Sequence, residues 1–263
     1  MNTLKMSIID THAHLDADEF ACDVDAVIVQ AVEAGVSRII TAGTSVASSE
    51  KVIALAEKYP LVFAAVGIHP QEIAGVQKED IKRIAELAKH LKVVALGEMG
   101  LDFHRSVVHK DAQIQGLKWQ LELATELHLP VIIHVRQATD EMIKILDEWV
   151  TESHVETPGV IHCFQENLPV AKTFLEMGFY LSLGGYISYP SSHLSTVIKS
   201  IPKNRLLLET DCPYLPPQQF RGQRNEPAYI TYTVETMAGM LGMTAEKVAN
   251  MMTENAIRLL RFK

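Results

Sequence analysis

Eight short runs of β-branched and other apolar residues, separated by longer amphipathic stretches, divide the chain from one end to the other. That alternation calls for a parallel sheet, because parallel neighbours can be joined only by a crossover long enough to hold a helix. The expected strands are Ser7–Asp10, Arg38–Ala42, Val62–Gly67, Val93–Leu96, Val131–His134, Gly159–His162, Tyr180–Gly184 and Leu206–Glu209. The expected helices are Asp23–Glu33, Ser48–Lys58, Lys78–Lys89, Asp111–Leu127, Thr139–Val150, Leu168–Met177, a weaker one over His193–Ser200, then Ala228–Leu241 and Thr244–Leu260. Gly35, Pro60 and Gly178 stand just past three of them, where helices stop.

Eight such units can close into a (β/α)8 barrel of the TIM type or spread as an open doubly wound sheet, and periodicity does not separate the two. A single barrel fills about 250 residues, which suits a chain of 263 read as one domain over residues 1–263. Isolated His, Glu and Asp residues fall at the C-terminal ends of several different strands, where a barrel gathers its functional side chains. This favours the barrel. No repeat, low-complexity tract or linker interrupts the pattern, and Pro213–Pro217 reads as an ordered loop.

Composition excludes several classes. With 48% hydrophobic and 21% charged residues the chain is neither disordered nor fibrous. No apolar run approaches the roughly 20 residues that span a bilayer, and Met1–Asp10 lacks the pattern of a secretory leader. Three cysteines, Cys22, Cys163 and Cys212, are odd in number and show no paired spacing, so a disulfide framework or zinc ribbon is not expected. A cytoplasmic protein with no obligate partner is the expectation. A formal net charge of -8 repels polyanions at long range, so a phosphate substrate would have to be held locally. Bound divalent cations would offset that charge at the site itself.

The strongest local signal is Asp10-Thr11-His12-Ala13-His14 at the end of the first strand. Residues i and i+2 of an extended chain face the same way, so His12 and His14 are able to grip one cation. The bland reading is a pair of satisfied core histidines. The company decides: Glu98 follows the fourth strand, His134 ends the fifth, His162 the sixth, and Asp211 follows the eighth. Six imidazoles and carboxylates meeting at one barrel mouth would be costly to bury without a cation. Mixed His and carboxylate ligands accept Zn, Mg, Mn, Fe or Ni, and the sequence does not choose among them.

Asp10-Thr11-His12-Ala13-His14, Gly97-Glu98-Met99-Gly100-Leu101-Asp102, Pro130-Val131-Ile132-Ile133-His134-Val135-Arg136, Ile161-His162-Cys163-Phe164 and Glu209-Thr210-Asp211-Cys212-Pro213-Tyr214-Leu215 occur in the order found in the TatD family of metal-dependent hydrolases and deoxyribonucleases, followed by Arg221-Gly222 and Asn225-Glu226-Pro227. The chain resembles that family over essentially its whole length. The resemblance implies a TIM-type barrel and two divalent metal ions, one held by His12, His14 and Asp211, the other by His134 and His162, with Glu98 bridging. It implies a 3′-5′ exonuclease acting on nucleic acid. Two such cations would activate a water, and Asp211 could then receive the water's proton while staying on a metal. Many relatives that cleave amides or esters carry a modified lysine where this chain has Glu98.

His69 at the end of the third strand is a candidate for substrate contact or proton donation to the leaving group. Arg136, Arg221 and Arg224 are candidates for phosphate binding, although an exposed arginine more often only solvates a surface. Asp102 and Glu209 are expected to orient ligands from behind, while His104, His109, His128 and His154 read as surface residues. The chain departs from the family at Gln71, where many members have a second histidine, and at Gln165-Glu166, where many have a small hydroxyl residue and glycine. Both departures sit where substrate would lie. Two other readings stay open: a metal-dependent amide or ester hydrolase of a small metabolite, and a metal-loaded barrel that binds without turnover.

Overall fold

A computed structural model describes residues 7–104, 109–260 and 262, so most of the N-terminal segment read for a leader lies outside the described residues. Eight strands form one sheet in sequential order: β1 (Ile8–Ala13), β2 (Val36–Ala42), β3 (Val62–Val66), β4 (Val93–Asp102), β5 (Val131–Arg136), β6 (Gly159–Ile161), β7 (Tyr180–Leu183) and β8 (Leu206–Leu208). Each pairs in parallel with the next. The helices between and after them are α1 (Val24–Ala34), α2 (Val46–Lys58), α3 (Lys78–Leu87), α4 (Lys110–Leu127), α5 (Thr139–Ser153), α6 (Leu168–Glu176), α7 (Leu194–Ser200), α8 (Ile230–Leu241) and α9 (Ala245–Leu259).

The sheet comes round on itself. Thr11 Oγ1 donates to the Leu208 carbonyl at 2.9 Å, Asp211 N–H to the His12 carbonyl at 2.9 Å, and His14 N–H to the Cys212 carbonyl at 2.8 Å. These bonds join the end of β8 to β1, so the architecture is a nearly closed TIM-type barrel and not an open sheet. The seam is sewn by residues of the two motifs that carry His12, His14 and Asp211.

Two apolar layers hold the barrel. Ile9, Ile40, Phe63, Val94, Ile132, Val160, Tyr180 and Leu207, one from each strand, pack together inside it, and Ala256, Leu259 and Leu260 close its floor. The alternate strand residues, such as Ile39, Val66, Ile133, Ile161, Leu181 and Leu208, pack outward with the helices. Period-two alternation then aims the polar residues: two positions beyond the interior residues Ile132, Val160 and Leu207 stand His134, His162 and Glu209.

Three strands run further than the apolar pattern suggests. The expected ends were Asp10, Leu96 and His134, whereas β1, β4 and β5 continue to Ala13, Asp102 and Arg136. The polar motif residues keep pairing instead of ending the sheet, with Gly100 opposite His134 and Asp102 opposite Arg136. β4 is buried along its whole length. A Cβ on Gly97 would lie 2.5 Å from the Ile132 carbonyl oxygen, so only glycine lets β4 pass this close to β5. The expected helix from Ala228 begins instead at Ile230, after a 3-10 turn over Pro227–Tyr229. Pro60 stops α2 by holding Tyr59 extended, at φ -115° and ψ 115°. Thr244 accepts the Lys247 N–H and caps α9. No helix among the described residues is long and apolar enough to cross a membrane.

Candidate active site

At the C-terminal mouth of the barrel a cavity of about 800 Å³ reaches down to Glu98. The Glu98 carboxylate divides the surrounding donors into two sets. Its Oε2 lies 3.4 Å from His12 Nε2 and 3.3 Å from His14 Nε2, and Asp211 Oδ1 lies 3.6 Å from both imidazoles. Its Oε1 lies 2.8 Å from His134 Nδ1 and 2.9 Å from His162 Nε2, with His69 Nε2 at 3.5 Å. The six residues expected to ligate are thus brought together, and five of them are less than a tenth exposed.

The donor set fits cations. His12 Nε2 and His14 Nε2 face each other at 3.1 Å, and His134 Nδ1 and His162 Nε2 at 3.2 Å. Two nitrogens bound at about 2.1 Å to one tetrahedral ion would stand roughly 3.4 Å apart, close to both spacings. Two lone pairs aimed at one point need a proton or a metal between them. Left to protons, the cluster takes up positive charge. Burial disfavours the charged form of His14, yet hydrogen bonds to Asp211 and Glu98 raise its pKa to about 10. Burial likewise opposes charging His134 and His162, but neighbouring carboxylates, chiefly Asp102 for the first and Glu98 for the second, raise both. For Glu98, burial favours the neutral acid and is overridden by His162, His69 and His12, which hold it well below its ordinary value. Asp211 is lowered against burial by His14 and the other imidazoles.

His69 stands apart. Its Nδ1 accepts the Gln71 N–H at 3.1 Å, so the neutral ring carries its proton on Nε2, which faces Glu98. Burial lowers its pKa to about 4. A protonated Nε2 donates a hydrogen bond and does not ligate, which separates His69 from the rings that converge without a proton to spare.

Behind the donors, Glu209 Oε1 accepts the Cys163 N–H at 2.6 Å and lies 3.4 Å from His162 Nδ1. Asp102 Oδ2 lies 3.6 Å from His134 Nε2 and accepts from Gln71 Nε2 at 2.8 Å. Sequence reading gave no role to Asp10, which is fully buried and accepts from Thr210 Oγ1 at 2.6 Å and Thr210 N–H at 3.0 Å. Burial is the main reason its pKa rises to about 7. Asn225 donates to the carbonyls of Thr210 and Tyr214, both at 2.7 Å, and so pins the loop that carries Asp211. Asp10 and Asn225 both belong to the motifs, but their partners are far away or reached only through a turn.

Six non-glycine residues among those described have positive φ. Gln137, Cys163, Asp211 and Leu215 line the cavity. Left-handed backbone costs an ordinary residue roughly 1–2 kcal/mol, so strain concentrates at the mouth. The other two, His128 and His154, follow the ends of α4 and α5. They are exposed and have no part in the site.

The arginines divide. Arg136 lines the cavity and forms no ion pair among the described residues. Arg221 lies over the Tyr189 ring at 5.3 Å, outside the cavity lining. Arg224 does not reach the cavity, because its fork is filled by Asp23 at 2.9 and 2.7 Å and Glu226 at 2.8 Å. Gln71, Gln165 and Glu166 all line the cavity, beside Asp16 and Glu72.

Comparison with known proteins adds the following. The family model described as "TatD related DNase" matches residues 9–261. A Bacillus subtilis protein named an uncharacterized metal-dependent hydrolase is 42% identical over 255 residues, covering 97% of this chain and 99% of that one. A 3′-5′ ssDNA/RNA exonuclease TatD of Enterobacter lignolyticus is 34% identical over 260 residues, covering 96% and 98%. The crystal structure of YJJV, a TatD homolog from Escherichia coli K12, superposes with a TM-score of 0.90 at 33% identity, covering 96% of this chain and 97% of that chain.

Proposed function

This chain belongs to the TatD-related family of metal-dependent hydrolases, and from its site we propose that it hydrolyses phosphodiester bonds at the 3′ end of single-stranded nucleic acid. The observation that carries the reading is the Glu98 carboxylate, whose two oxygens face two separate donor sets. His12, His14 and Asp211 would hold one divalent cation and His134 and His162 a second, with Glu98 shared. Two cations held there would supply a nucleophilic water at neutral pH and would neutralise charge that builds on phosphoryl oxygens. A similar pair serves amide hydrolysis. Arg136, with no ion pair among the described residues, and the protonated His69 Nε2 tip the balance towards a substrate carrying anionic oxygens. The exonuclease name of one relative supports the same choice.

The chain's own residues then have distinct tasks. Arg136 offers a planar fork to the oxygens that flank the cleaved bond. His69 donates its Nε2 proton as a hydrogen bond to the phosphoryl or departing oxygen. Asp211, acidic enough to stay ionised, accepts the proton that the attacking water gives up. Glu209 and Asp102 fix the rings of His162 and His134.

Purified protein loaded with Mg²⁺, Mn²⁺ or Zn²⁺ should shorten a single-stranded oligonucleotide from its 3′ end. Turnover of a neutral ester or amide with no cleavage of any oligonucleotide would replace this reading with a small-molecule hydrolase. Absence of turnover on every substrate would favour a binding barrel.

A further inference from the structure

The chain carries 32 Asp and Glu residues, yet none falls between Glu176 and Glu209 or between Asp211 and Glu226. These two stretches include the loops that follow β7 and β8 at the barrel mouth. Elsewhere the mouth is acidic, for Asp16 after β1, Glu72 after β3 and Glu166 after β6 line the cavity. Past Asp211, the loops after β7 and β8 add no further acid to the mouth, so a polyanion leaving that way meets less fixed negative charge than beside Asp16, Glu72 or Glu166.

That acid-free arc is also where the aromatic rings are. Tyr214, a residue 52% exposed, lines the cavity with its ring set edge-on to His14 at 5.8 Å between centroids. Its backbone is held at both ends, by its N–H to the Asp211 carbonyl and by Asn225 on its own carbonyl. Beyond it the Tyr189 hydroxyl donates to the Pro216 carbonyl at 2.8 Å, and Gln218 N–H to Ser188 Oγ at 2.8 Å. A Cβ on Gly185 would lie 2.6 Å from the Leu215 carbonyl oxygen, so the two loops touch backbone to backbone. Tyr189 and the Arg221 guanidinium above it are therefore continuous with the cavity wall. Every base has a face that stacks on a ring or a guanidinium, whatever its sequence.

We propose that the arc over β7 and β8 is the path of an unpaired nucleic-acid strand, with Tyr214 and then the Arg221–Tyr189 pair as successive stacking surfaces for the bases beside the cleaved bond. This rests on the nuclease reading and adds the direction of the strand and the groups that select single strands. Affinity comes from stacking because the rest of the mouth offers phosphate little attraction beyond Arg136 and the cations.

The test uses the Mn²⁺-loaded enzyme on a single-stranded oligonucleotide and on the same strand made abasic at the two nucleotides beside the cleaved bond. The parent should prefer the intact strand by about 5- to 100-fold in kcat/KM. Tyr214→Leu and Arg221→Gln should each lose activity on the intact strand and change little on the abasic one, while Tyr214→Phe keeps the parent's preference. Equal cleavage of both strands by the parent, or equal losses on both strands in Tyr214→Leu, overturns the stacking path and leaves the nuclease reading standing. A parent that cleaves neither strand overturns both.

Discussion

The Gln71 backbone N–H lies 3.1 Å from His69 Nδ1 and donates to it, which leaves Nε2 as the nitrogen that bears the proton. With its pKa near 4, set mainly by burial, the ring is neutral above about pH 5. His69→Gln should therefore cost about 10- to 1000-fold in kcat and leave the metal content unchanged. No ionisation of this ring should appear in the pH–rate profile between pH 6 and 8. Elemental analysis together with a kcat–pH profile checks both points. Metal loss in His69→Gln would make this histidine a ligand.

Asp211 is held below its ordinary carboxylate range by His14 and the other imidazoles against the effect of burial, so it is ionised whenever the enzyme works. Asp211→Asn keeps a weak oxygen ligand and removes the proton acceptor. A loss of about 10²- to 10⁴-fold in kcat, larger than any loss of bound metal, is expected. Activity within a few-fold of the parent at equal metal loading would move the base elsewhere.

Much of this site was legible because a strand has a period of two. Ile132 and His134, Val160 and His162, and Leu207 and Glu209 share the interior face, so motif and period agree on where the side chains point. What was not legible depends on backbone conformation and on distant partners. Asp211 and Cys163 turn inward through positive φ at strand ends, which no apolar pattern encodes. Arg224 stands beside the last motif, yet Asp23, 201 residues away, fills its fork. The strand limits at Asp10, Leu96 and His134 fell short for a related reason: polar residues that normally end a strand here continue it, because their backbone keeps pairing with the neighbouring strands of the barrel.

Protons and cations compete for one set of atoms, and this fixes the sign of a pH effect. The folded pKa of His14, about 10, exceeds its ordinary 6.5. Without metal, the stability this group contributes is full below pH 6.5 and is lost as pH rises through about 10. Chelator-treated protein should therefore lose thermal stability between pH 7 and pH 10. Metal-loaded protein should resist that loss, because the ion has already displaced the proton. Metal affinity should accordingly keep rising with pH above neutrality. Melting curves with and without chelator across this range make the comparison, and parallel curves would remove His14 from the donor set.

Glu166 follows His162 into the cavity wall, where its Oε1 accepts the Thr139 hydroxyl at 2.8 Å. It does not cap the following helix, since Asn167 performs that task by accepting the Val170 N–H. The carboxylate thus stands between the starts of α5 and α6 in the cavity wall. At about 8 Å and an effective dielectric near 20 it would repel a phosphate by roughly 2 kcal/mol, less once salt screens it. Glu166→Gln keeps an oxygen for Thr139 and removes only the charge, so it isolates electrostatics from packing better than a change to glycine. It should raise kcat/KM on oligonucleotides several-fold, chiefly through KM, and the gain should shrink as ionic strength rises. Gln165→Ser with Glu166→Gly should show the same salt-dependent gain with some loss of thermal stability from the broken Thr139 bond. An unchanged or lower kcat/KM in Glu166→Gln at both low and high salt, with the parent turning over a neutral or cationic ester well, would instead mark Glu166 as a group that selects a positively charged substrate.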